Sequence, residues 1–319
     1  MIISEIILID DGSTDGSAQL CDMIAAQYST DPCTIHVIHQ ENRGVSAARN
    51  AGLLSASGSF ILFVDSDDTV DARKLADLMQ NIARIGSVDM AVFGISFDYY
   101  SAEERMYRQE TQIPPVSGLR SFDECCAFLF RLFCGNALSS LCNRLIRKHV
   151  LDESGIQLRE DMFLYEDLEF SLRIFAQCDT LFFCQEPIYH YRQASDEGNS
   201  QRRLKRVAHI PEVLGKIEAA LVPLGDGTDI LLSLHLVLAR EKISGASKAE
   251  ARVVCSDFRE WINIHGLQQQ ITGKQYAELL YHQKVLRLLL RREKARIRHR
   301  LANWVKRYIG DFRKWKFRS

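Results

Sequence analysis

The sequence predicts an α/β fold, a mainly parallel sheet flanked by helices and followed by a helical C-terminal region. Three observations carry this. Short apolar, β-branched runs alternate with helical patterns early in the chain, as at residues 5–10 (EIILID) and 60–64 (FILFV). Acidic turns follow those runs, at the strand ends where open α/β sheets bind ligands. From about residue 202 onward the pattern is helical, without strand signals. The 319 residues thus divide into a domain over 1–200 and a helical region over 201–319.

Taken in order, the run 5–10 reads as a buried strand ending in the turn-forming DDGSTDGS, and residues 17–28 as the helix after it. A strand at 35–39, a loop ENRG and a small-residue helix over about 46–54 come next. The apolar strand 60–64 runs into DSDD, and a helix is expected over 72–85. Beyond it are expected a strand at 89–97, a polar stretch, helices around 122–133 and a β pair near 180–191.

Nine cysteines, an odd number with no CxxC pair, suggest neither a disulfide framework nor a zinc site and fit a reducing cytoplasm. The start of the chain does not resemble a signal peptide, and the longest apolar run, near 230–239, is too short to span a bilayer. A soluble or peripheral cytoplasmic protein is expected. The formal net charge is −1, yet residues 284–319 hold 14 Lys and Arg against only Glu293 and Asp311.

Three acidic groups carry the chemical expectations. Asp10 and Asp11 follow the first strand, where carboxylates can accept hydrogen bonds from a base or a ribose, but the same residues are good turn and cap chemistry. In Asp65-Ser66-Asp67-Asp68, three carboxylates repel one another unless a cation or protons neutralise them. Oxygen ligands of this kind suit Mg²⁺ or Mn²⁺, whereas the alternative is an Asp-rich loop capping the helix that follows. Glu166 and Asp167 open a helical pattern, where the dipole favours anions, so both capping and general-base roles are open. No GxGxxG follows the first strand, which argues against a dinucleotide-dependent oxidoreductase.

In order and spacing, Asp10-Asp11, Asn42-Arg43-Gly44 with Ala48-Arg49-Asn50-Ala51-Gly52, Asp65-Ser66-Asp67-Asp68 and Glu166-Asp167 together resemble the motifs of family 2 glycosyltransferases with the GT-A fold. The resemblance covers roughly residues 4–200. It implies an inverting transfer of a sugar from a nucleotide-diphosphate donor, a UDP-sugar by expectation, to a glycan or lipid-linked glycan acceptor. By the same resemblance Asp11 contacts the nucleotide base with Asp10 beside it. Asp65 and Asp67 form the Mn²⁺ or Mg²⁺ pair, and Asp68 is a substitute ligand or ribose contact. Asp167 is implied as the catalytic base with Glu166 its neighbour, and Arg49 lies near the nucleotide unless it is a solvated helix arginine. Arg192 resembles a position near the diphosphate, a surface ion pair being equally open, while His190 reads as a packed or edge-strand histidine.

Two departures qualify the resemblance. The family's first strand, helix and loop are missing before Glu5, and an interior strand's loss exposes strand edges. The expectation is therefore either a start placed too far downstream or a truncated, impaired remnant that serves as a binding or scaffold protein. The family's W-N-K-L segment is here Cys142-Asn143-Arg144-Leu145, without the aromatic. In the basic tail, Trp304, Tyr308, Phe312, Trp315 and Phe317 are interleaved with Lys and Arg. It reads as a solvated helix or as an interfacial helix on an anionic membrane at the inner face of the plasma membrane. No nucleic-acid-binding motif accompanies it.

Overall fold

The computed structural model describes residues 3–31, 33–101, 103–134, 138–193 and 210–225, with 227, 230, 231, 234 and 235. The expected basic tail and most of the helical region over 201–319 lie outside the described residues. Two compact units divide the chain, Met1–Ser200 with Pro211–Gly227, and Gln201–Ile210 with Thr228–Ser319. In the second unit Ile230, Leu231 and Leu234 are buried on helical backbone. The elements below lie in the first unit, except that the last helix begins in the second.

Along the chain these are β1 (Glu5–Asp10), α1 (Ser17–Tyr28), β2 (Thr34–His39), α2 (Val45–Ser55), β3 (Phe60–Ile61) and β4 (Thr69–Val70). Then follow α3 (Ala72–Ile85), β5 (Met90–Tyr100), β6 (Met106–Gln112), β7 (Gly118–Ser121), α4 (Phe122–Cys126) and α5 (Leu129–Cys134). The last are β8 (Arg144–Arg147), α6 (Lys148–Ser154), α7 (Glu166–Phe175), β9 (Thr180–Gln193) and α8 (Ile210–Leu221).

The α/β class is the one the sequence predicts, while the strand pairing is mixed. Strands β1 and β2 form a parallel pair. A second sheet runs β3-β8-β5-β9-β4, with β6 on β5 and β7 on β9. Within it, among the described residues, β5 and β9 are the one parallel pair; β8 runs antiparallel between β3 and β5. A parallel neighbour needs a long crossover, which the chain supplies between β1 and β2 and between β5 and β9. The hairpin β5–β6 returns directly and so pairs antiparallel; β8, which follows only after β6, β7, α4 and α5, also runs antiparallel to β5.

Helix α3 illustrates how the core is set. Asp71 caps it, its carboxylate accepting from the N–H groups of Arg73 and Lys74, and Gly86 ends it at φ 87°. Leu75, Leu78 and Ile82 fall on one face and are buried against Phe93, Ile95 and Tyr189. Each such burial contributes about 1.5–3 kcal/mol. Gly94 lies where β5 and β9 change register, and a Cβ there would come within 3.0 Å of the Glu186 carbonyl. The sheet closes tightly only because that atom is missing.

Strand β1 pairs with β2 alone among the described residues, and Ile6 in its apolar run stays 39% exposed. Residues 62–64, expected to continue β3, leave the ladder: Phe63 packs edge-on against Phe170 of α7 while Val64 is exposed. That departure frees the following turn to approach β9.

Candidate functional site

Asp10 and Asp11 turn into the loops around them. Asp10 is buried and accepts from the Ser13 N–H at 3.0 Å and from His39 Nδ1 at 2.9 Å. The Ser13 and His39 hydrogen bonds hold its carboxyl down at about 2. Asp11 accepts from Gln40 Nε2 at 2.8 Å and from the N–H groups of Arg43 and Gly44 at 2.9 and 2.8 Å. Gly44 makes that possible with φ 90°, a conformation costly for other residues. These carboxylates thus fasten the loop after β1 to the loop before α2. Among the described residues their hydrogen bonds do not reach the second acidic group.

That second group gathers on Arg49, whose side chain is only 12% exposed. Its Nη1 donates to Asp167 Oδ1 at 2.6 Å and its Nη2 to Asp65 Oδ1 at 3.0 Å. One guanidinium therefore joins two acids from distant parts of the sequence. Helix α2 is held in place by Asn50, whose side-chain amide both donates to the Leu158 carbonyl (2.9 Å) and accepts from the Leu158 N–H (2.8 Å). Helix α7, which carries Asp167, is fixed by buried Glu169, paired with Arg159 at 2.7 Å and Arg173 at 2.8 Å.

Residues 65–68 form a tight turn in which the Asp68 N–H donates to the Asp65 carbonyl at 3.1 Å. In such a turn the first and fourth side chains meet while the middle pair face outward. Asp65 and Asp68 accordingly come together with Cys142, their ligand atoms all within 4.8 Å of one another. Asp67, expected as Asp65's partner, is exposed and outside this cluster. Tyr189 on β9 binds the turn from below: its hydroxyl accepts from the Asp65 N–H at 3.1 Å and donates to Asp68 Oδ2 at 2.6 Å. The Arg192 N–H adds a bond to Asp68 Oδ1 at 2.8 Å. Burial raises the Asp68 carboxyl above its ordinary range despite these bonds.

Asp167 is raised to about 6, because burial outweighs the pull of Arg49 toward the ionised form. Glu166 opens α7 beside it. Before them Tyr165 stands at φ 58°, a left-handed conformation uncommon for a non-glycine residue and costly to hold. Fully buried Arg144 contributes positive charge to Asp167, its own value pushed down to about 10 by burial.

The structure therefore unites Arg49, Asp65, Asp68 and Asp167, with Glu166 adjacent. The Arg192 side chain goes elsewhere, 3.4 Å from Glu104 and over the Tyr100 ring at 4.5 Å. His190 pairs with buried Asp98 at 2.9 Å, as a packed strand histidine. Tyr189 and Tyr165 lie within segments that the sequence singles out, but the sequence assigns neither a role. Arg49→Met should leave two acids facing each other and destabilise the fold. The loss should lie toward the low end of about 3–5 kcal/mol in a denaturant titration, because Asp65 and Asp167 remain 36% and 25% exposed.

Residues 3–155 match the family model described as glycosyl transferase family 2. Over 189 residues the chain is 29% identical to the cholesterol galactosyltransferase of Borreliella burgdorferi, covering 58% of this chain and 51% of that protein. It is 30% identical over 192 residues to the uncharacterized glycosyltransferase EpsJ of Bacillus subtilis, covering 59% and 52%. The chain thus spans about half the length of these relatives. In fold it is similar to S. aureus TarS in complex with UDP, at TM-score 0.52 and 17% identity over 87% of this chain and 77% of that one. Among the described residues no helix is long and apolar enough to cross a membrane.

Proposed function

We propose, from the match of residues 3–155 to the glycosyl transferase family 2 model, that the chain is a glycosyltransferase of that family and that it transfers a sugar with inversion. The donor is a nucleoside-diphosphate sugar, by preference a UDP-sugar, as the UDP held by TarS suggests. The acceptor is a hydroxyl of a glycan or lipid-linked glycan precursor. One observation carries the reading: a single buried arginine, Arg49, bridges Asp167 and Asp65. A base and a leaving-group site are thereby held at a fixed separation, which a one-step displacement requires.

Asp167 is the general base, removing the proton of the acceptor hydroxyl as its oxygen attacks the anomeric carbon. Arg49 orients that carboxylate and keeps it ionised near neutral pH. Asp65 and Asp68 offer close-set oxygens that fit Mn²⁺ or Mg²⁺. Such a cation, when bound, stabilises charge on the departing diphosphate. Asp67, exposed on the same turn, is available to the donor or to ordered water around it. No enzyme nucleophile is required. The basic tail at 284–319 is proposed to hold the enzyme at the anionic inner face of the plasma membrane, beside a lipid-linked acceptor.

The test is release of UDP from a panel of UDP-sugars with Mn²⁺ present, followed against pH. Because the base must be ionised, kcat/KM should rise with pH through an apparent pKa of about 6, the value to which burial raises Asp167. A profile flat from pH 5 to 8 would assign the base elsewhere. The stability consequence has the opposite sense. Folding raises this carboxyl from 3.8 to about 6, so the folded chain binds the extra proton in that window, and Asp167's contribution to stability falls as pH rises through it.

A further inference from the structure

We propose that Cys142 is a third metal ligand of the Asp65–Asp68 site and that its sulfur biases the site toward thiophilic cations such as Zn²⁺ and Co²⁺ over Mg²⁺. The inference rests on the metal site proposed above and goes beyond it in naming a ligand and a selectivity. Cys142 is only 5% exposed, and its Sγ lies 3.8 Å from Asp65 Oδ2. A thiol is a weak donor, so a hydrogen bond at that length contributes little. The distance suits two ligands of one ion. With metal–sulfur and metal–oxygen bonds of about 2.3 and 2.1 Å, a tetrahedral angle separates the two atoms by about 3.6 Å. Asp65 Oδ1 is occupied by Arg49, which leaves Oδ2 as the oxygen facing the sulfur.

The position of the sulfur is fixed by the backbone. Asn143, the next residue, accepts the Phe93 N–H at 2.9 Å and donates its side-chain amide to the Phe93 carbonyl at 3.3 Å. Arg144 then enters the ladder opposite Val92. Cys142 is thus anchored to β5, as Asp68 is anchored to Tyr189 and β9, so the ligands meet on rigid elements. On binding, the thiol proton passes to solvent and the thiolate sulfur donates its electron pair to the cation. Thiolate favours zinc and cobalt, whereas magnesium keeps to oxygen ligands and water.

The experiment adds Co²⁺ to the reduced full chain under argon and records its absorption, for the wild type, Cys142→Ser, Cys142→Ala and Asp65→Ala. Expected are visible d–d bands together with a near-ultraviolet sulfur-to-cobalt charge-transfer band. Cys142→Ser should lose the charge-transfer band, bind Co²⁺ and Zn²⁺ about 10–100-fold more weakly, and bind Mg²⁺ as the wild type does. Far-ultraviolet circular dichroism verifies folding, and Cys142→Ala repeats the test if the serine variant does not fold. Cobalt bound with d–d bands alone, or a charge-transfer band that persists in a folded Cys142 variant, overturns the inference and leaves the carboxylate site standing. Absence of any cobalt binding sensitive to Asp65→Ala overturns the metal site and the inference with it.

Discussion

Asp167→Asn should slow sugar transfer by about 10²–10⁴-fold, the usual effect of removing a general base, while donor and metal binding are retained. The amide oxygen can still accept from Arg49, so the bridge to Asp65 survives, but no group remains to take the acceptor's proton. Because the buried carboxylate is itself unfavourable at neutral pH, the variant should melt no lower than the wild type at pH 7.5. Lost turnover with undiminished stability separates a catalytic role from a structural one. Calorimetric titration with UDP, run beside the rate assay and a thermal melt, reads all three quantities. A variant that fails to bind UDP would instead make Asp167 part of the donor site.

Removal of the divalent cation should have an effect of similar size. EDTA, or Asp65→Ala, should abolish most turnover, because a cation contributes several kcal/mol toward stabilising the leaving group and each 1.36 kcal/mol is tenfold in rate. Mn²⁺ should restore the EDTA-treated wild type but not Asp65→Ala. The variant also deprives Arg49 of one partner, so its melting temperature must be compared. Asp67→Ala, on the exposed middle of the turn, should cost less than Asp65→Ala. The reverse order would mean that the turn rearranges on binding.

What could be read from the sequence follows from the range of the forces involved. Helix α3 forms over the residues expected because Asp71, Gly86 and the spacing of Leu75, Leu78 and Ile82 are local signals. Strand β6 (MYRQETQ) was hidden in a polar stretch, since it is an edge strand exposed along its whole length and shows no apolar alternation. The four-residue β8 is too short to show a period. At the site, Asp65, Asp68, Arg49 and Asp167 were all candidates, but which carboxylate joins Asp65 depends on a turn. The family resemblance pairs Asp65 with Asp67; the turn closed by the bond from the Asp68 N–H to the Asp65 carbonyl instead brings the Asp68 carboxylate beside that of Asp65. Tyr189 and Cys142 reach the site through the packing of β9 and β8, more than seventy residues from Asp65. No local pattern announces such a contact.

Binding of UDP by the full chain, measured calorimetrically with Mn²⁺, with EDTA and with Asp65→Ala, tests the central claim most directly. A nucleotide site completed by a cation on Asp65 and Asp68 predicts saturable binding in Mn²⁺ that weakens at least about tenfold, a change of about 1.4 kcal/mol, in EDTA and in a folded Asp65→Ala variant. Failure to bind UDP, GDP or their sugars in Mn²⁺, or equal UDP affinity under all three conditions, would contradict it.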